Sequence, residues 1–487
     1  MKKRYLLGGA LLLFVAWLAI PPLFLEPPEQ QKTSAAAIDL PPQDQTLARL
    51  SAAVRIKTVS PENPVDFDPQ AFRDFHAFLE QSFPLVHSKL EKQVLAGHSL
   101  LFKWPGRDET LKPALLMNHM DVVPVLNPEL WQHPPFEGVI ADGHLWGRGA
   151  LDDKGGMMAQ LEAAESLLAR GHQPERTLYF LFGHDEERGN PEGGAATAAR
   201  YFADRDIRLE FVLDEGMVIS DGLMPGMDIP VAMIGIAEKG YMDMKLTASG
   251  EGGHSSMPDA GSSIERLSRA LTKLYDNPLP TQMMYVRMLG ENLKYYMPYG
   301  LKAAIHNIDI LGPLLEKGLA SDSTMAPFMR TTTAPTILRA GEKSNVIPPM
   351  ASAVVNFRII PGETSDDVMR QVAEIINDPN IKLEKGGVSE PSPVSDPEGA
   401  AFKLIRRSIL ETAGDEEMAT TPQLVTGATD SRFLVGVTDN TYRFQYVHIT
   451  PDLRPTYHGR DERIAVSDYA KMIEFYVRLI GNMDGMQ

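Results

Sequence analysis

Short, uninterrupted apolar runs that each end on an acid or a histidine constrain this chain more than any other feature. Ala114-Leu115-Leu116-Met117 leads into Asn118-His119-Met120-Asp121, Leu178-Tyr179-Phe180-Leu181-Phe182 into Gly183-His184-Asp185-Glu186-Glu187, and Phe211-Val212-Leu213 into Asp214-Glu215-Gly216. Runs of this length and composition are strands buried on both faces. Between the first two, Leu161, Ala164 and Leu168 mark one face of a helix. Strands separated by helices build a mainly parallel sheet with helices on both sides, an α/β fold. Such sheets carry their sites just past the strand ends, where His119, Asp185 to Glu187 and Asp214 fall.

The chain's 487 residues exceed what one core serves and predict about two domains. After Glu238 the pattern changes. Tyr241 to Ala248 alternates like a half-exposed strand, Ser262 to Tyr275 reads as an amphipathic helix, and Val354 to Ile359 is a strand ending at Pro361-Gly362. Helical and strand patterns then resume, including Ala400 to Thr412 and Ser467 to Ile480. This predicts a first domain built from 46–237 and 363–487, with a separate α+β domain, 238–362, inserted into it.

At the N-terminus, Lys2, Lys3 and Arg4 precede an apolar run from Tyr5 to Ile20, followed by Pro21-Pro22 and Leu23-Phe24-Leu25. The pattern is that of an export segment over 1–25, a signal anchor or a signal peptide. The basic flank would stay cytoplasmic, placing the body in the periplasm or outside the cell with the segment as its membrane anchor. Residues 26–45, rich in Pro, Gln, Ser and Ala, read as a linker. A net charge of −17 argues against nucleic acid as a partner. With no cysteine there is neither a thiolate nucleophile nor Cys-ligated zinc, so any metal must be held by His and carboxylate.

Each acidic cluster, taken alone, has a structural reading as well as a chemical one. In an extended stretch, residues two apart face the same way, so Asp121 can orient His119 as a metal ligand, or His119 is simply a structural histidine. The glycine-rich turn Gly147-Arg148-Gly149-Ala150-Leu151-Asp152-Asp153-Lys154-Gly155-Gly156 can present an acid inward, or Asp152 or Asp153 can cap the following helix. The consecutive acids Asp185, Glu186 and Glu187 are either solvated or compensated by cations. Asp214 offers another acid and Tyr457-His458-Gly459 a second histidine.

Together these five motifs, in this order, resemble the M20 metallopeptidases, the aminoacylase and carboxypeptidase S clan, from Thr46 to the C-terminus. The resemblance implies a zinc-exopeptidase-like sheet and an inserted domain that acts as a lid and a homodimer surface. It also implies two Zn²⁺ per chain, with Asp152 bridging, His119 and Asp214 on one metal, and Glu187 and His458 on the other. Co²⁺ or Mn²⁺ suit the same donors. Asp121 becomes the partner of His119, Glu186 the general base, and the peptide after Asp152 cis. In the insert, Gly252-Gly253-His254-Ser255-Ser256 and Lys343-Ser344-Asn345-Val346 match, followed by Asn356-Phe357-Arg358. His254 is thereby implied to support the oxyanion, and Asn345 and Arg358 to hold the substrate carboxylate, a task suited to the planar guanidinium of Arg358.

Within the family the chain looks most like carboxypeptidase S and the secreted enzymes that make and cleave N-fatty-acyl amino acids. The expected substrate is a small N-acyl amino acid or short peptide, and Met283 to Leu319, rich in Met, Leu and Tyr, would line an acyl pocket. Asp461 is a departure, since Asn is expected there more often. An inactive metal-binding protein on the same fold is the competing reading, against which the intact Glu186 speaks. A dipeptidase, or a deacylase with another acyl preference, would share the chemistry and differ in substrate.

Overall fold

The computed structural model describes residues 13, 16–27, 38–61, 63–224, 226–258 and 260–486. Its centre is a ten-stranded sheet in which Leu178–Gly183, Ala114–His119, Phe211–Asp214 and Thr441–Arg443 lie side by side and parallel. Antiparallel strands extend it on either side. Glu91–Leu95 and Ser99–Trp104 form one edge, and Val231–Glu238, flanked by Ala419–Val425, continues the other.

The unbroken apolar runs are buried on both faces, as their composition requires. Leu116 packs with Leu161 and Ala164 of helix Lys154–Ala169. Its neighbours Leu115 and Met117 point the other way, onto Ala198 and Phe202 of helix Gly194–Ala203. Helices thus cover the sheet on both sides, and the parallel strands end together at one edge.

A smaller antiparallel sheet has the order Thr332–Ala340, Met350–Ile359, Gly240–Ser249, Ile381–Ser389. Helices Ser263–Asp276 and Ser365–Ile376 cover one face through Leu267, Leu274, Val368 and Val372. This unit runs past the boundary expected at 362. Helix Ser365–Ile376 begins at a capping box between Thr364 and Asp367, and Ile381–Ser389 pairs along the free edge of Gly240–Ser249. That strand is largely exposed, so the sequence offers no apolar run to announce it.

Helices Met284–Leu293, Tyr299–His306 and Ile308–Leu319 were expected in the insert, yet they pack on the main sheet. Leu289, Leu293, Ile305 and Ile308 cluster with Met227, Val231 and Ala419 at its margin.

Most of the apolar run from Tyr5 to Ile20, and linker residues 28–37, lie outside the described residues. Among those described, no helix is long and apolar enough to cross a membrane. Residues 16–19 are helical, and a 3₁₀ turn, Pro21–Phe24, follows beside Tyr299–His306. The linker expected to end at 45 gives way at Gln43 to helix Gln43–Arg55.

Lys239 joins the two sheets. Its backbone N–H donates to the Val425 carbonyl, and its buried amine donates to the carbonyls of Pro327 (2.9 Å) and Arg330 (2.7 Å). Burial, reinforced by the charge of Arg358, pushes this amine down from 10.5 to about 7. The unfolded chain therefore binds one more proton between those two values, and stability rises with pH across that window. Lys239→Met is expected to remove a slope of about 1.4 kcal/mol per pH unit. Urea unfolding of both proteins at about pH 7 and about pH 9 measures it, and equal slopes would refute the assignment.

Candidate metal centre

At the ends of the parallel strands the side chains of His119, Asp152 and Glu187 converge, with ligand atoms all within 4.8 Å of one another. His119 closes its strand, and its Nε2 lies 3.1 Å from Asp152 Oδ1. The other Asp152 oxygen lies 3.1 Å from His458 Nε2, which in turn is 3.2 Å from Glu187 Oε2. Asp152 thus presents one oxygen to each histidine.

The backbone around these groups is fixed from behind. His119 Nδ1 lies 3.0 Å from the Asp121 carbonyl and 3.3 Å from its carboxylate. That buried carboxylate also accepts from Ser60 Oγ and from the amides of Glu186 and Glu187. One acid therefore orients a histidine and both glutamates. Asp153 stands at the head of the next helix but does not cap it. Its carboxylate accepts instead from Asn118 Nδ2, the His119 amide and Gln445 Nε2. Gly156 lies beneath this knot, and a Cβ there would come within 2.6 Å of all three side chains, Asn118, Asp153 and Gln445. The Asp152–Asp153 peptide is cis.

Glu462 completes the frame. Its Oε1 accepts from the amides of Gly149, Leu151 and Asp152 at 2.9–3.0 Å, and its Oε2 from Arg148. Sequence reasoning missed this residue, because nothing local pairs an acid near the C-terminus with a turn some three hundred residues earlier. Asp461 has φ 60 and accepts from the Gln132 amide, and Asn or Asp serves equally at such a left-handed position.

The two adjacent acids Asp214 and Glu215 differ from the expectation. Asp214 turns away, accepting from the Ser431 amide (2.8 Å) and the Glu215 amide (3.0 Å). Glu215 instead lines the cavity of about 460 Å³ together with Asp152, Glu186, Glu187 and His458. Asp214 closes the strand and Glu215 follows it, so spacing alone did not separate them.

Four carboxyl groups share this cavity, and among the described residues that line it none is a lysine or arginine. Burial, then the nearby carboxylates, push Glu186 and Glu215 well above the usual range. Asp152 and Glu187 raise the His458 imidazolium to about 10. Glu187 Oε1 is buried without a hydrogen-bond partner. Hard-oxygen and imidazole donors, a crowd of like charges and an unpartnered carboxylate oxygen together fit divalent cations.

The rest of the lining includes apolar side chains, Met217, Met233, Phe328 and Val425. The segment from Met283 to Leu319 does not line the cavity. Its helices, through Leu289 and Leu293, back the cluster to which Met233 belongs.

His254, Asn345 and Arg358 are not among the lining residues. A two-stranded ribbon, Gly253–His254 with Val346–Ile347, brings His254 beside Asn345, whose carbonyl accepts from the Ser255 amide. His254 is exposed, its Nδ1 2.8 Å from Ser256 Oγ. Arg358 lies on the smaller sheet with its guanidinium 5.0 Å from the Tyr241 ring centroid.

The model of the family described as peptidase family M20/M25/M40 matches residues 115–482. The chain is 39% identical over 441 residues to a probable carboxypeptidase S-like 2 of Dictyostelium discoideum, covering 90% of this chain and 84% of that protein. It is 35% identical over 445 residues to the N-fatty-acyl-amino acid synthase/hydrolase PM20D1 of Homo sapiens, covering 89% and 87%. Among solved structures, the M20 family metallo-carboxypeptidase Sso-CP2 from Sulfolobus solfataricus superposes with a TM-score of 0.63 at 19% identity, over 90% of this chain and 99% of that one.

Proposed function

Because the chain belongs to peptidase family M20/M25/M40, a metal-dependent family, we propose that it is a two-zinc amide hydrolase that releases an amino acid from an N-acyl amino acid or small peptide. The observation that carries this reading is the Asp152 carboxylate shared between His119 and His458 at equal distances. On this reading His119, Asp152, Glu187, Glu215 and His458 would hold the two cations, with Asp152 shared between them. Zinc bound there supplies acidified water and draws charge from the scissile carbonyl.

The protein's own part is proton transfer and positioning. Glu186 takes a proton from the attacking water and returns it to the leaving amine, a role suited to a carboxyl whose pKa burial has raised. Asp121 holds the Glu186 amide and sets the tautomer of His119. His254, Asn345 and Arg358, which lie outside the cavity's lining, are the groups we assign to the substrate's oxyanion and carboxylate.

The substrate half of the proposal is a long acyl group. The named activity of the PM20D1 relative supports it, as do the lining side chains of Met217, Met233, Phe328 and Val425, which offer adaptable apolar contact. Zinc-loaded protein is expected to cleave long-chain N-acyl amino acids with a kcat/KM at least about tenfold that for short dipeptides, since each buried methylene adds about 0.8 kcal/mol. Released amino acid is the readout. Equal or better dipeptide turnover would remove the acyl assignment and leave a dipeptidase. The basic residues before the apolar run support an exported body on the same reading.

A further inference from the structure

We propose that helices Tyr299–His306 and Ile308–Leu319, together with residues 17–24, form a face that rests on a lipid bilayer. Residues 18 and 19 are held against the body. Asn307 Nδ2 donates to the Leu18 carbonyl (2.9 Å) and Tyr299 Oη to the Ala19 carbonyl (2.8 Å). These carbonyls belong to the last turn of a helix, which has no intrahelical donors for them. In water such groups need no help, but near hydrocarbon each one left bare costs several kcal/mol. Two side chains from the helical pair satisfy them.

The same face exposes apolar side chains that a soluble surface would not group. Pro21–Phe24 and Ile308–Leu319 both pack against Tyr299–His306, and these elements expose Leu314 (73%), Phe24 (78%) and Leu23 (64%), with Trp17 (60%), Leu301 and Ile310 also exposed. Ile310 and Leu314 lie one turn apart on a single helix face. The opposite side of this helical layer is already used, since Ile305 and Ile308 are buried against the main sheet. Trp17 and Tyr299 are the residue types that settle at the headgroup level.

The charges agree. The chain as a whole carries −17, yet the acids of this face are engaged within the protein: Asp309 with Arg287 at 2.6 Å and Glu316 with Thr281. Lys302 and Lys317 remain to meet anionic headgroups. A second copy of the chain would cover the patch equally well by area alone. In sequence, however, residues 17–24 close and follow the apolar run from Tyr5 to Ile20 with its Lys2-Lys3-Arg4 flank, a pattern that a bilayer receives and a protein interface does not.

The absence of cysteine makes the test direct, because Leu314→Cys creates the only thiol. The full chain carrying a polarity-sensitive fluorophore there is reconstituted into phosphatidylcholine vesicles with a minor fraction of phosphatidylglycerol, and recovered by flotation. Asp439→Cys, at an exposed position outside this face, is the control. Nitroxide-labelled lipid is expected to quench the Leu314 label by about twofold or more and to leave the Asp439 label unchanged. A floated protein whose Leu314 label is not quenched overturns the proposal, as does a failure to float. A spectral change that follows protein concentration without lipid overturns it in favour of a second copy.

Discussion

Glu186→Gln is expected to lower turnover by about three orders of magnitude or more while the cation content stays at the wild-type level. Glutamine keeps the shape and the backbone hydrogen bond to Asp121, so the neighbouring Glu187 remains in place. What it loses is the ability to accept a proton. General-base assistance accounts for about 10²- to 10⁴-fold in rate, and here the same group also serves the departing amine, which puts the effect at the upper end. Steady-state release of amino acid and metal analysis of the same preparation give the two readings. Turnover within about tenfold of wild type would sink the assignment of Glu186 as base, and loss of metal would make it a ligand instead.

The second large effect separates two adjacent acids. Glu215→Gln is expected to weaken one of two zinc equivalents by at least about 100-fold, more than the loss of a supporting partner costs, and activity falls with it. Asp214→Asn is expected to keep both equivalents and to destabilise the fold by about 1–3 kcal/mol, because an amide nitrogen then faces a backbone donor. The donors concerned are the Ser431 and Glu215 amides. Calorimetric zinc titration of chelator-stripped protein, paired with urea unfolding, distinguishes the two. The reverse pattern, with zinc lost from the Asp214 variant, would restore the ligand set that family resemblance implied.

Much of this centre was legible because it is written locally. An apolar run that stops at His119, or at Glu186-Glu187, declares both a buried strand and what stands at its end, and the Gly147–Gly156 turn declares a backbone that passes close to other groups. What the sequence concealed is set by distant partners. No local pattern separates Asp214 from Glu215, since which one enters the cavity depends on the Ser431 amide that claims the first. Nothing near Asp152 announces that Glu462 will gather three amides of its turn. The helices between Met284 and Leu319 were apolar enough to belong to any core. Only the margin of the main sheet, at Val231 and Ala419, decides which one. The strand Ile381–Ser389 was hidden for the opposite reason, being an edge too polar to read as a strand.

That His458 and Glu462 lie some three hundred residues after Asp152 has a further consequence in time. Both are made long after the strands and the turn, yet one faces Asp152 and the other shapes the turn that carries it. A chain still emerging from the ribosome, or crossing a membrane in an extended state, holds the strands, the paired glutamates and the turn in sequence but neither closing group. The frame around Asp152 therefore closes only once those residues have been made. Any product shortened before residue 458, by early termination or by proteolysis, is therefore expected to lack the proposed centre, however well the rest of it folds.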